Sequence, residues 1–392
     1  MQKKFNLIPD RINTIDEITR GKKIEPILNL NNSIDSFEYS HTTEDIRELL
    51  PKKYIDFGQA ITDLGGKLLY IKSGSTGHTF KGVFTEEKDK DKESYAVKIV
   101  AYPKKENYGD MYNIKRPENT EILMIRLLSY FVINKQTPHI VLPITTFNTS
   151  IKPFLSLTKS NIVNNKKFEQ FVEKYDKGEY YQNVSILVSE WANGGDLLDY
   201  IRKNYKKLKV PEWKTIFYQI LSVLAIIHAR YPAFRHNDMK ANNILIHFTD
   251  TENAQDKFLY KINGQTYIVP NIGFQLKLWD FDFACIPGIV DNAKVDAEWT
   301  DKINIKPEQN KYYDIHYFFN TLMRKGFFPE FLTAEEIPQK VKDFVFRVVP
   351  EKYQSGKHVS DRGRILINTE INTPDNILKT DPFFKSMRMN LN

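Results

Sequence analysis

Four short stretches of the 392-residue chain carry side chains suited to moving a phosphoryl group. In HNDMKANNILI, Asp238 is followed by Lys240 and then Asn243. The carboxylate can accept a hydroxyl proton or orient that hydroxyl for attack. Lys240 can neutralise charge on the transferred group, and Asn243 can ligate a metal ion. Asp280, at the end of the apolar run in LKLWDFDFA, would complete that site. Magnesium takes a few protein oxygens and fills its remaining positions with water and phosphate. Lys98 in YAVKIV is a cation among apolar strand residues and requires a counter-charge or a phosphate. Glu121, on the following helical stretch, can supply that counter-charge, and Glu118 competes for the role. In SGSTGHTFKG, Gly74, Gly77 and Gly82 let backbone N–H groups approach phosphate oxygens unobstructed. Positioning, metal binding and charge neutralisation are what phosphoryl transfer asks of a protein, because little covalent chemistry falls to it.

These residues need two kinds of support. LLYIKSG and HTFKGVF read as strands around a glycine turn, and SYAVKIV as a third strand after the charged hairpin tip EEKDKDKES. PENTEILMIRLLSYF reads as a helix opened by Pro117, with two acids near its positive end. IVLPITTF and VSILVSEW add two strands, flanking a polar insert near 150–183 with a helix around Phe168–Tyr175. After Gly194 and Gly195 the pattern turns helical. EWKTIFYQILSVLAIIHAR predicts a buried helix with one wide apolar face, and Ile315, Phe318, Phe319 and Leu322 predict another. The fold class is therefore α+β in two parts: an antiparallel sheet with one helix, then a mainly helical part. Residues 1–64 read as an irregular N-terminal extension, 65–192 as the sheet part, and 193–392 as the helical part with an insert near 247–275.

Composition narrows the classes. Hydrophobic residues at 41 % and charged residues at 27 % fit a globular chain with a sizeable core rather than a disordered one. The single cysteine, Cys285, excludes a disulfide framework or a cysteine-built zinc site within one chain, and suits a reducing compartment such as the cytoplasm. No secretory leader and no transmembrane segment are expected. The net charge of +7 reads as a lysine-rich surface, with no recognition helix or aromatic-interleaved basic stripe, so no nucleic-acid partner is expected.

The order of these motifs resembles the eukaryotic-type protein kinase fold over roughly residues 65–385. HNDMKANNILI resembles the kinase catalytic loop, YAVKIV the ATP-lysine strand, and WDFDF stands where DFG is expected. SEWANGGDLLDYI resembles the kinase hinge. That resemblance makes Ser189 the gatekeeper, gives the backbone of Glu190 and Ala192 to adenine, and puts Asp196 near the ribose. It also makes Asp314 of YYDIHYFF the brace of the catalytic loop. FRHNDMKANNILI, LWDFDFA and KYYDIHYFF together resemble the poxvirus serine/threonine kinases of virion assembly and their relatives in other large DNA viruses. The resemblance implies ATP with Mg2+ or Mn2+ as cofactors, an ATP site between the two lobes, and protein substrates with Ser or Thr acceptors. It further implies viral assembly partners and action in the host cytoplasm or virion.

Several residues depart from the kinase pattern. Lys72 takes the place of the first loop glycine. Asn237 replaces the arginine of HRD, which implies no dependence on a phosphorylated activation loop. Asp282 replaces the glycine of DFG. The long span from Asp238 to Asp280 implies an insertion at 247–275 with a hairpin around NGQ at 263–265, and no APE motif follows. Asp56, Phe57 and Gly58 also spell DFG, but they precede the glycine loop and read as chance. His236 reads as structural, His78 as a loop residue, Trp279 as core, and Cys285 as either an accessible thiol or a small buried residue. A small-molecule kinase of the choline or aminoglycoside type shares the HND loop and the DF-acid motif. Lys240, the hinge and the DPFF ending favour a protein kinase over it. A pseudokinase scaffold is the other alternative, and retention of Lys98, Glu121, Asp238, Asn243 and Asp280 argues against it.

Overall fold

The computed structural model of the chain describes residues 8–28, 43–74, 76–84, 94–157, 166–249 and 257–389. They fall into two units, Pro9–Ser129 with Val141–Trp191, and Tyr130–Ile140 with the chain from Ala192 onward.

The first unit is built on β1 (Lys67–Ser73), β2 (Gly77–Val83), β3 (Ser94–Pro103), β4 (Pro143–Ser150) and β5 (Tyr180–Glu190). They form one antiparallel sheet in the order β1-β2-β3-β5-β4. Residues 86–93 of the charged stretch before β3 lie outside the described residues. In β4 and the second half of β5 nearly every residue is buried, so both faces are covered, and Thr, Val and Ile suit that setting.

The N-terminal extension is not irregular. It contains α1 (Ile8–Thr19) and, at its end, α2 (Phe57–Leu64). Between these helices, residues 26–27 and 53–55 run beside β4. Ile27 N–H donates to the Ile144 carbonyl at 2.8 Å, Asn148 N–H to the Lys53 carbonyl at 2.9 Å, and Ile55 N–H to the Asn148 carbonyl at 2.9 Å. A bare outer strand would leave such groups unpaired, and the extension covers that edge. Periodicity missed it because these contacts run through backbone groups of short, aperiodic segments. The early DFG triplet has a structural use, since the Asp56 carboxylate accepts from Gln59 N–H at 3.0 Å and caps α2.

Helix α3 (Pro117–Ile133) opens on its proline, but only Glu118 stands in the first turn; Glu121 lies further in, so one acid rather than two meets the helix N-terminus. The insert contributes α4 (Lys166–Asp176), whose Phe168 and Phe171 are buried. They pack around His78, with ring centroids 5.3 and 4.5 Å away. His78 is therefore not a loop residue. It lies on β2, its Nδ1 bonded to Ser73 Oγ at 2.8 Å, and burial pushes its imidazole down to about 4.

The second unit contains α5 (Leu197–Asn204), α6 (Val210–Arg230), α7 (Tyr313–Thr321), α8 (Glu330–Thr333), α9 (Gln339–Val348) and α10 (Pro374–Thr380). From Trp213 to His228 all but Lys214 of α6 is buried, so the helix is enclosed on every side rather than along one face. Among the described residues α6 is the one helix long and apolar enough to cross a membrane, and 78 % of that window is buried inside the fold. Two antiparallel ladders complete the unit: β6 (Ile244–Phe248) with β9 (Phe274–Leu278), and the hairpin of β7 (Lys257–Ile262) with β8 (Gln265–Pro270). The second ladder turns at Asn263 and Gly264 with φ of 46° and 84°, the paired positive angles of a two-residue hairpin.

One buried cation in the first unit has a measurable consequence. Lys52, from the extension, is fully buried, and its Nζ donates to Ser185 Oγ at 2.6 Å. Burial pushes its ammonium down to about 7, against the pull of Glu118 and Glu121. Unfolded, the same group titrates near 10.5, so the unfolded chain holds more protons between those values. Stability then rises with pH across that window and is lost as pH falls toward 7. Lys52→Met is expected to raise Tm at pH 7 by roughly 5 °C or more and to gain much less at pH 10. Thermal unfolding at both pH values checks this, and an equal change at both would contradict it.

Candidate active site

The sequence-predicted residues divide between the two units. In the first, β3 sets Lys98 opposite Thr79 of β2 and Leu187 of β5. Lys98 Nζ donates to Glu121 Oε1 at 2.6 Å, and the two side chains are 18 % and 6 % exposed. The competitor, Glu118, is turned to buried Arg116 at 3.1 Å. The glycines separate by role. A Cβ on Gly77 would sit 1.7 Å from the Ile99 carbonyl oxygen, and one on Gly82 would enter the Tyr95 ring at 2.2 Å. Both glycines are therefore demanded by close packing on β3. A Cβ on Gly74 would meet only the Gly77 carbonyl oxygen, at an ordinary 3.7 Å, and the Gly74 N–H closes the turn on that oxygen at 2.7 Å.

Glu190 ends β5 with its N–H on the Leu142 carbonyl at 3.0 Å, while Leu142 N–H donates back to Glu190 Oε1 at 2.8 Å. Arg11 of α1, almost fully buried, grips the same carboxylate with a fork, its Nε on Oε2 at 2.9 Å and its Nη2 on Oε1. No motif marks Arg11 for this clasp. Ser189, the expected gatekeeper, is buried beside it, with its hydroxyl on the Glu190 carbonyl at 3.3 Å.

In the second unit Ala192 is buried, and Asp196 caps α5 by accepting from Asp199 N–H at 2.9 Å. The ladder of β6 and β9 sets the rest. Ile244 pairs with Leu278, so Asn243, just before β6, and Asp280, two residues past Leu278, leave the same end of the ladder. Asp280 holds a left-handed φ of 63°, and Asn237, next to Asp238, one of 62°. Such conformations are uncommon outside glycine and concentrate where surrounding structure imposes a geometry.

Asp238 is the centre of a dense polar cluster. Lys240 Nζ donates to its Oδ2 at 2.8 Å, and Asn243 Nδ2 donates to both Oδ2 at 2.8 Å and the Asp238 carbonyl at 2.9 Å. Its Oδ1 is bound by Arg364, far along the chain, which no motif singled out. Asp314 braces the loop from α7: Oδ1 accepts from Asn237 N–H at 2.9 Å and Oδ2 from His236 N–H at 2.7 Å. Burial pushes the Asp314 carboxyl up, while His236, these amides and Arg235 pull the other way. His236 is structural, its Nε2 bonded to the Trp279 carbonyl at 3.0 Å.

With both amide hydrogens of Asn243 turned to Asp238, Oδ1 is its acceptor end for a cation. Among the described residues no group of three His, Cys, Asp or Glu gathers to hold a metal. The two residues expected to hold a metal, Asn243 and Asp280, offer oxygen donors alone. That suits magnesium, which keeps waters and phosphate oxygens, and not zinc, which takes nitrogen and sulfur in a closed shell.

The segment after Asp280 is pinned in place. Asn237 Nδ2 donates to the Phe283 carbonyl at 3.0 Å, and Arg235 and Cys285 exchange backbone hydrogen bonds at 3.0 and 3.1 Å. Asp282 is half-exposed and paired with Lys294. Cys285 is buried and its thiol is pushed up to about 12, so it is a packed residue rather than a reactive one.

Comparison with known proteins bears on this cluster. The family model described as poxvirus serine/threonine protein kinase matches residues 91–378. A protein of Acanthamoeba polyphaga mimivirus, named as a serine/threonine-protein kinase, is 45 % identical over 389 residues, covering 97 % of this chain and 80 % of its own. Serine/threonine-protein kinase 2 of Swinepox virus (strain Kasza) is 35 % identical over 135 residues, covering 34 % of this chain and 27 % of its own. Among solved structures, titin kinase with its flanking domains is 12 % identical and covers 92 % of this chain and 52 % of its own at a TM-score of 0.43, too distant to bear on any residue here. The match across residues 91–378 takes in Lys98, Glu121, Asp238, Lys240, Asn243, Asp280, Asp314 and Arg364 alike, and the chain belongs to the poxvirus serine/threonine protein kinase family and is, with that family, a protein serine/threonine kinase.

Proposed function

We propose that this kinase transfers the γ-phosphoryl group of ATP to Ser or Thr hydroxyls of viral structural proteins in the cytoplasm of the infected cell, in company with viral assembly partners. The observation that carries the chemistry is the double hydrogen bond of Asn243 Nδ2 to Asp238, at 2.8 and 2.9 Å. It fixes the proton-accepting carboxylate and the metal-facing amide as one unit. Asp238 orients the acceptor hydroxyl and takes its proton as the oxygen bonds to phosphorus and the bond to ADP breaks. Lys240 balances charge on the transferring group, and Lys98, held by Glu121 at 2.6 Å, meets the nucleotide phosphates. By the same reading the backbone of Glu190 and Ala192 serves adenine, Asp196 the ribose, and the backbone of Gly74 and Gly77 the phosphates. Magnesium, held by Asn243 and Asp280, supplies charge neutralisation on the phosphate oxygens.

Metal-dependent transfer of label from γ-labelled ATP tests the reading. The acceptors are a mixed protein pool and, separately, choline and aminoglycosides. Label is expected in Ser or Thr, and both Asp238→Asn and Asp280→Asn should lower turnover by roughly 100-fold or more. Near-wild-type turnover in Asp238→Asn would overturn the base assignment, and label entering only the small molecules would replace the protein acceptor.

The two acids of α3 give a paired test. Glu121→Gln removes the Lys98 partner and should lower kcat/KM for ATP by at least about tenfold with little change in Tm. Glu118→Gln leaves buried Arg116 uncompensated and should cost about 3 kcal/mol of stability while sparing kcat/KM. The reverse pattern in steady-state kinetics and thermal melting would return the partnership to Glu118.

A further inference from the structure

Asp238 is gripped from both sides, and only one side comes from its own loop. Lys240 and Asn243 hold Oδ2, while Arg364 holds Oδ1 from 126 positions away in the sequence. Arg364 is 6 % exposed, and its guanidinium bonds within this neighbourhood. Nη2 bonds Asp238 Oδ1, and Nη1 bonds the Asn237 carbonyl and, at 3.2 Å, the Tyr313 hydroxyl. Its face lies 4.0 Å over the Tyr317 ring. A planar fork that binds a carboxylate oxygen and the preceding carbonyl together fixes both the side-chain torsion and the backbone beneath it.

The segment presenting Arg364 is itself rigid. Ser360 N–H donates to the Arg364 carbonyl at 2.8 Å, Ser360 Oγ accepts from Arg364 N–H at 3.0 Å, and Val359 bridges Ile365. Asn320 of α7 donates to the Gly363 carbonyl at 2.9 Å, and Arg324 donates to the Asp361 carbonyl at 2.7 Å. A loop tied this closely to α7 carries a side chain with little freedom.

We propose that Arg364 is the positioning residue of the phosphotransfer reaction, aiming the Asp238 carboxylate at the acceptor hydroxyl. Asn237 is neutral, so it brings no charge to this task, and the cation on Oδ1 comes from a distant loop. The inference rests on reading Asp238 as the acceptor-side base. An aimed carboxylate matters for turnover and not for nucleotide affinity, because displacing a reacting group by an ångström costs about 100-fold in rate.

The test compares the full chain with Arg364→Gln and Arg364→Lys in γ-phosphoryl transfer to a protein acceptor, alongside thermal melting. Arg364→Gln is expected to lower kcat by roughly 30- to 100-fold with KM for ATP within about twofold. Arg364→Lys keeps the charge but loses the fork, and should recover part of that loss. In an Asp238→Asn background, Arg364→Gln should change the residual rate by less than about twofold, because the group it aims is gone. An unchanged kcat in Arg364→Gln, or an equally large loss in the Asp238→Asn background, overturns the proposal. If neither variant folds, Arg364 holds the fold rather than aiming the base, and the proposal again fails. Full activity in Asp238→Asn alone defeats the underlying reading instead, a different result from full activity in Arg364→Gln alone.

Discussion

The loop bearing Asp238 keeps its shape through one buried carboxylate. Asp314, at the start of α7 and 1 % exposed, spends both oxygens on consecutive backbone amides, those of His236 and Asn237. Burying an ionised carboxylate is expensive unless its lone pairs are met, and here two donors meet them while forcing the loop into one path. The left-handed backbone of Asn237 follows from that path. The neighbours of Asp314 on α7 serve the same loop, since Tyr313 accepts from Arg364 and Tyr317 lies beneath its guanidinium. One helix thus templates the brace, the Asp238 loop and the arginine that grips it.

Buried guanidinium groups recur wherever irregular backbone must be held. Arg116 donates to the Pro103 and Gly109 carbonyls and pairs with Glu118. Arg235 reaches the Asn304 and Glu308 carbonyls and lies 4.0 Å over the Tyr313 ring. Arg11 holds the end of β5 through Glu190. Loops leave carbonyls without ladder partners, and a planar cation with five donors satisfies several at once. Some of the basic residues are therefore buried, and the lysine-rich surface suggested by composition is only part of the account.

What could be read in the sequence was what is local along it. The order of glycine turn, lysine strand, helix, catalytic loop and Asp280 follows from short motifs, and the strands and α6 follow from runs of apolar residues. The hairpin at Asn263 and Gly264 was legible because its turn chemistry is a two-residue signal. Arg364, Arg11 and Lys52 were not legible, since their partners lie 126, 179 and 133 positions away and an arginine or lysine in a polar stretch carries no mark of burial. His78 failed for a related reason. The aromatic side chains that enclose it come from the insert, and only folding brings Phe168 and Phe171 to β2.

The clasp of Arg11 on Glu190 also sets a timetable. Its two halves are separated by 179 positions, so at about 5–20 residues per second a ribosome makes α1 roughly 9 to 36 s before the acid that anchors it. The strand it flanks, β4, is likewise made long after residues 25–28. During that interval the amphipathic α1, with Ile15 and Ile18 waiting for cover, is a nascent segment without its docking surface. The edge that the extension protects in the finished protein is thus sealed by chain that must stay soluble, and available, until the sheet has been built.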